Sequence, residues 1–473
     1  MAGTESTEKI QVLGKDANGM DKVMTKKDYA GDAVGQISMN TINSFSGQMT
    51  YFYTTKVGMA AGASGTIILV SKIVDGVSDL IMGRIVDKTQ SKDGKARFWL
   101  KMMIIPTLIS MILLFTVPHI GATGQMIYGI LTNILASAIV YTAIAVPYYT
   151  MINYETRSLE ERGKIGTYRG FVGYIIGILI GMTLLPFTNA LGGTQRSWVI
   201  VAAVFGLFGA ITLAVCFKST KERYSSTEKT KADEADEKLT TAESLKYLVR
   251  NKYWWMMAVA QMAVGAIYTF LGGGLAFYAQ FVLGNDNLTA LISMIGLVPS
   301  VIGFVITPMM ITKIGMRKTG IIAAVIGLAG TVLRYFAPDN FTVFTVGYCL
   351  VMFATAPIVA VLPAMVINCA EWNDYRYGVK ITGMTNSVAS AGMKIGVGLA
   401  GAGLGWILAA GGFDSLSAVQ PESAIRSIYA LNITWPGIML VIIAVCYGLY
   451  GLEKKYPEIA RANAERRAKM EEE

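Results

Sequence analysis

The chain of 473 residues is 53% hydrophobic and only 15% charged, with 50 Gly and 26 Met and a mean hydropathy of +0.47. Soluble domains carry about a quarter charged residues, so a soluble enzyme and a disordered chain are excluded and a polytopic membrane protein is indicated. The net charge of +9 does not mark a nucleic-acid binder, because Lys and Arg form short clusters between apolar runs instead of one basic face.

Residues 1–30 are a polar segment without the charged-then-apolar order of a signal peptide, and are expected to be retained. A bilayer-spanning helix needs about 20 mostly apolar residues. By that measure the sequence predicts spans near 31–56, 62–86, 98–118, 124–150, 166–190 and 197–217, then near 253–282, 288–312, 318–336, 340–368, 382–411 and 426–450. The expected architecture is an all-α membrane protein with twelve transmembrane helices in two six-helix bundles, 31–217 and 251–450. A polar linker, 218–250, containing KTKADEADEK joins them, and 451–473 forms a tail. Abundant small residues suit close helix packing in lipid.

Several spans carry residues that lipid does not favour. The first has a polar face from Asn40, Asn43, Ser44 and Gln48. The second, in SKIVDGVSDLIMG, has Lys72, Asp75 and Asp79; spacings of three and four put these charges and Gly83 on one stripe. Each mid-membrane charge costs about 2.5 to 3.5 kcal/mol, which makes such residues functional candidates. Two carboxylates one turn apart, with Ser78 beside them, suit a monovalent cation or a shared proton; the plainer alternative is a structural ion pair of Lys72 with Asp75. The fourth span supplies Thr142 as a further oxygen, and Pro147 is expected to free a backbone carbonyl there. Tyr141, Tyr148 and Tyr149 offer rings for stacking on a sugar, or anchors at the interface. Arg169 begins the fifth span and Lys394 lies within the eleventh among small residues.

The single histidine, His119, falls in an outer loop, and Cys216, Cys349, Cys369 and Cys446 show no CxxC spacing. No zinc site, haem, disulfide framework or resident cofactor is expected, and no nucleophile and base pair among the spans suggests an enzyme. Basic loops after the second, fourth and eighth spans place both termini in the cytoplasm. The halves also echo each other: the segment from Tyr51 can be laid over that from Ala276, and Gly94, Lys95 and Arg97 match Gly315, Arg317 and Lys318. Two such bundles imply a central cavity opening alternately to each side.

Three stretches, KIVDGVSDLIMGRIVDKTQSKDGKARFW at 72–99, VPYYTMINYETRSLEERGKIGTYRGF at 146–171 and AEWNDYRYGVKITGMTNSVASAGMKIG at 370–396, carry a resemblance. The chain resembles the glycoside-pentoside-hexuronide:cation symporters, the group that includes melibiose permease, within the major facilitator architecture. The resemblance implies secondary active symport of a sugar or glycoside into the cell, coupled to sodium or a proton, in a bacterial-type inner membrane. It implies a lipid bilayer and a small-molecule sugar as partners, with no nucleic acid and no obligate protein partner. Carried over, the cation site falls on Asp75, Asp79, Ser78 and Thr142, with Asp75 and Asp79 holding sodium if sodium is the ion. The substrate site falls on Arg169, Lys394, Tyr141 and Tyr149.

The acidic residues that grip the galactoside in melibiose permease fall here near Met39 and Ala145, neither of which can accept from a sugar hydroxyl. With Arg169 and Lys394 retained, this departure implies an anionic sugar such as a hexuronide or glucuronide; alternatively Asn40 or Asn43 accepts a neutral pentoside or glycoside. Rival readings are an uncoupled facilitator, a carrier of amphipathic or lipid-like molecules, and a non-transporting sensor. Cytoplasmic salt bridges are expected from the turn at Gly94 to Arg97 and from the segment between Glu371 and Lys380.

Overall fold

The computed structural model describes residues 11–16, 20–224, 241–378, 382–417 and 419–472. The linker run KTKADEADEK and Lys380 lie outside these. The described residues divide into two compact units, one from Met1–Ser46 and Val70–Glu228 and one from Gly47–Leu69 and Lys229–Glu473.

Among the described residues nine helices are long and apolar enough to cross a membrane. The three other predicted spans are also helical. The first runs through Lys26–Ala33, Gly35–Gly47 and Met49–Thr55, with offsets beside Gly35 and Gly47, residues of low helix propensity. The second is Ala61–Lys88, 28 residues, about 42 Å at 1.5 Å per residue. The third is split into Arg97–Met102 and Ile104–Phe115. Its break, at Met103, directly follows Met102, whose carbonyl the ring of Pro106, four residues on, would meet.

In the first unit the fourth span consists of Gly121–Asn133, a π-helical stretch Ile134–Tyr141, and Thr142–Glu155. The irregularity therefore lies upstream of Pro147, which sits inside a continuing helix, and not at the proline itself. The fifth span, Leu159–Ala190, starts at Ser158, whose hydroxyl accepts from the Glu161 N–H, and the sixth is Gln195–Ser219. The polar N-terminal segment is built onto this frame. Strands Gly14–Lys15 and Asp21–Lys22 pair antiparallel, the Val23 and Met24 N–H groups donate to Glu161 Oε1 at 3.0 and 2.9 Å, and Ser158 Oγ donates to Asp16 at 2.7 Å.

The second unit holds the seventh to twelfth spans: Lys252–Phe281, Leu288–Ile314, Met316–Phe336, Phe341–Tyr377, Thr382–Ala410, and Glu422–Tyr429 continued through a π-helical Ala430–Thr434 into Trp435–Leu449. The seventh and eleventh spans touch backbone to backbone. A Cβ at Gly396 would lie 1.9 Å from the Met262 carbonyl oxygen, and one at Gly265 would lie 2.4 Å from that of Met393. Small residues are what permit this approach in lipid. The tail is a helix, Leu452–Glu472, fastened to the end of the tenth span. Asn463 Nδ2 donates to the Glu371 carbonyl and carboxylate at 2.9 and 3.1 Å, and Arg466 pairs with Asp374. The Glu371 segment is thus held within its own unit.

The internal repeat reappears in how each basic turn is held. Glu222, just beyond the sixth span, accepts from the Lys95, Ala96 and Arg97 N–H groups, each at 2.8 Å, and Arg97 Nη2 donates to the Phe217 carbonyl. Glu453, just beyond the twelfth, accepts from the Met316 and Arg317 N–H groups at 2.6 and 2.9 Å, and Arg317 donates to the Tyr447 and Gly448 carbonyls. Glycine is needed at both turns: φ is 99° at Gly94 and 83° at Gly315, and a Cβ would press on the glutamate at 2.6 and 2.7 Å. Glu222→Ala strands three N–H donors and is expected to cost about 2 kcal/mol, read as a lower melting midpoint in detergent; an unchanged midpoint would show the cap to be dispensable.

Candidate functional site

The π-helical stretch ends at Thr142 and turns its hydroxyl onto the charged stripe of the second span. Thr142 Oγ1 lies 3.1 Å from Asp75 Oδ1 and 3.1 Å from Asp79 Oδ1. Ser78 Oγ is 3.4 Å from the same hydroxyl and donates to the Asp75 carbonyl at 2.9 Å. Lys72 Nζ lies 3.2 Å from Asp75 Oδ2. Thr142 is 1% and Asp75 4% exposed. The four residues predicted to form the cation site are therefore gathered inside the first unit. A single hydroxyl proton cannot satisfy two carboxylates at once, and the like charges around it repel unless a cation or proton joins them. The donors are all oxygens, a set suited to a hard ion and not to one that prefers sulfur or imidazole. Wide π-turns recur at functional sites for this reason: they redirect one side chain out of helical register.

The residues predicted for substrate are distributed in four places. Asn43 Nδ2 donates to the Tyr141 hydroxyl at 3.1 Å, an uncharged pair one residue before Thr142 in the fourth span, with Asn43 itself exposed. Asn40 Nδ2 donates to the Gln36 carbonyl at 2.9 Å and faces Gly173 and Gly177 of the fifth span. Tyr149 is 53% exposed with its ring against that of Tyr148. Lys394 belongs to the second unit, exposed on the eleventh span.

Arg169 differs most from expectation. Its guanidinium is buried and forked onto Asp32, with Nε 2.6 Å from Oδ2 and Nη2 2.7 Å from Oδ1, and it lies 3.8 Å above the Tyr148 ring. Tyr148 in turn donates to the Asp32 carbonyl at 2.9 Å. The Arg169 charge therefore has an acidic partner after all, and it adds no unmatched positive charge. Asp32 carried a signal, a carboxylate at the start of a predicted span, but sequence reasoning passed over it. It also passed over Arg334 of the ninth span, fully buried beside the Phe344 ring and donating to the Asn432 carbonyl at 2.7 Å.

The comparisons agree with this architecture. The chain is 26% identical over 446 residues to an isoprimeverose transporter of Lactiplantibacillus pentosus, covering 90% of this chain and 88% of that one. It is 25% identical over 454 residues to a glucuronide carrier protein homolog of Escherichia coli (strain K12), covering 93% and 96%. Among solved structures it is similar to a bacterial homolog of the human lysosomal transporter Spinster, with a TM-score of 0.65, 12% identity, and 90% and 96% of the two chains covered; at that identity the likeness is one of fold. The family described as MFS/sugar transport protein matches residues 31–454, nearly the whole sequence, and an integral membrane transporter of that family is what this chain is.

Proposed function

We propose that the chain is a cation-coupled symporter that moves a sugar or glycoside into the cell, with sodium or a proton as the coupling ion. The observation that carries this is Thr142 Oγ1 standing 3.1 Å from both Asp75 and Asp79, a two-carboxylate site, with Asp75 buried and Asp79 half-buried, in a span that must otherwise cross lipid. Ion binding removes the repulsion between the carboxylates, and the neighbouring Tyr141 ties the site to the Asn43 pair, so ion and sugar favour each other reciprocally. In this proposal both termini face the cytoplasm of a bacterial-type inner membrane, as the basic loops require.

Asn43 and Tyr141 offer donors and acceptors for sugar hydroxyls, and Tyr149 an exposed ring for the apolar face of a pyranose. Because Asp32 already answers Arg169, a neutral glycoside is favoured over an anionic one; Lys394 is the one predicted substrate residue that favours a uronide. The resemblance to transporters named for isoprimeverose and for glucuronides makes both worth offering. In a counterflow assay neutral glycosides are expected to exchange and to outcompete uronides at equal concentration. Exchange of uronides alone would reverse this preference and assign the selectivity to Lys394.

A further inference from the structure

The cation site as described leaves Lys72 without a task, although its ammonium holds one of the site's carboxylate oxygens. Asp75 is divided between two partners. Oδ1 accepts from Thr142, whose hydroxyl also meets Asp79, while Oδ2 faces Lys72 Nζ at 3.2 Å. Lys72 lies one turn earlier on the same helix, so the pair depends on no other element. The Lys72 side chain is 24% exposed against 5% for Asp75, so the ammonium is less enclosed by protein than the carboxylate it faces. A lysine is a compact charge on a flexible stem, able to leave without any backbone movement. An uncompensated carboxylate in this setting is costly.

We propose that Lys72 is a tethered counter-ion: its ammonium neutralises Asp75 while the site holds no coupling ion, and an entering ion displaces it from Oδ2. This rests on the proposal that Asp75 and Asp79 carry the ion. Ion affinity is then set by competition with a charge tethered one turn away on the same helix. The ion-free protein keeps a neutralised Asp75, and a bound ion is released more readily because the ammonium returns to its place.

The test uses the purified full chain in detergent with sodium as the probe, titrated by calorimetry. Lys72→Met is expected to bind sodium at least tenfold more tightly than the parent. Lys72→Arg keeps the charge and is expected to bind no more tightly than the parent. A second readout is thermal: in sodium-free buffer Lys72→Met melts below the parent, and added sodium raises its midpoint by more than it raises the parent's. Lys72→Gln, which retains a donor for Asp75, is expected to show the same tightening with a smaller loss of stability. Unchanged affinity in Lys72→Met and Lys72→Gln overturns the proposal, as does the absence of sodium binding in both variants and parent. Asp75→Asn separates the two levels. Undiminished sodium binding in Asp75→Asn refutes the ion site itself, whereas lost binding there with unchanged affinity in Lys72→Met refutes the tethered counter-ion alone.

Discussion

Asp79→Asn is expected to abolish ion-driven accumulation of substrate, with initial uptake falling about 100-fold, equivalent to about 3 kcal/mol of lost ion binding. The amide keeps the shape of the side chain and its contact with Thr142 but removes the charge that an ion must neutralise. Ser78→Ala removes only a neutral oxygen 3.4 Å from Thr142 and is expected to weaken uptake by no more than about tenfold. Thr142→Ala should lie between the two, because it takes away the group that both carboxylates share. Equal uptake in Asp79→Asn and the parent, with and without an ion gradient, would make the protein a facilitator and would leave the second-span carboxylates without a role in coupling.

The second large effect concerns Asp32 and Arg169. The two groups are 0% and 6% exposed at their side chains and lie 2.6 Å apart, so removing one leaves the other a buried charge without its hydrogen-bonded partner. Asp32→Asn is expected to destabilise the protein by about 3 to 5 kcal/mol, seen as a large drop in melting midpoint and loss of the monodisperse form in detergent. Arg169→Gln should do the same. The double variant Asp32→Asn with Arg169→Gln is expected to regain more than half of the loss, because neither charge is then stranded. If the recovered double variant also fails to bind sugar, Arg169 contacts substrate in addition to Asp32; if it transports normally, the pair is a fastening of the first span to the fifth. A double variant no more stable than either single one would show that the two residues do not act as a pair.

The parts that were legible in the sequence are those where a membrane makes residue type decisive. Lys72, Asp75 and Asp79 stand out because charges three and four residues apart inside an apolar run have no cheap alternative to one shared stripe. Thr142 was legible as a polar side chain in the fourth span, and the structure adds the reason it reaches the carboxylates. That reason, the π-helical turn over ILASAIVY, contains neither glycine nor proline, and Pro147 lies in the helix that follows it. Asp32 was hidden by its position, since a charge at the edge of a span reads as a loop residue until its partner, 137 residues away, is known. Glu222 and Glu453 read as solvated charges for the same reason. Only the fold shows that each one caps the turn of its own half, so that the basic turns serve the architecture of each unit.

In the proposed mechanism sugar and ion move together, with the ion held by Asp75, Asp79, Ser78 and Thr142. The most direct measurement is ion movement driven by sugar: purified protein in sealed liposomes, a panel of neutral and anionic glycosides added outside, and sodium and proton fluxes followed at once. At least one glycoside is expected to drive inward flux of sodium or protons in proportion to its own uptake, and Asp79→Asn is expected to abolish that flux. Glycoside entry with no accompanying ion, at the same rate in the parent and in Asp79→Asn, would contradict the proposed mechanism.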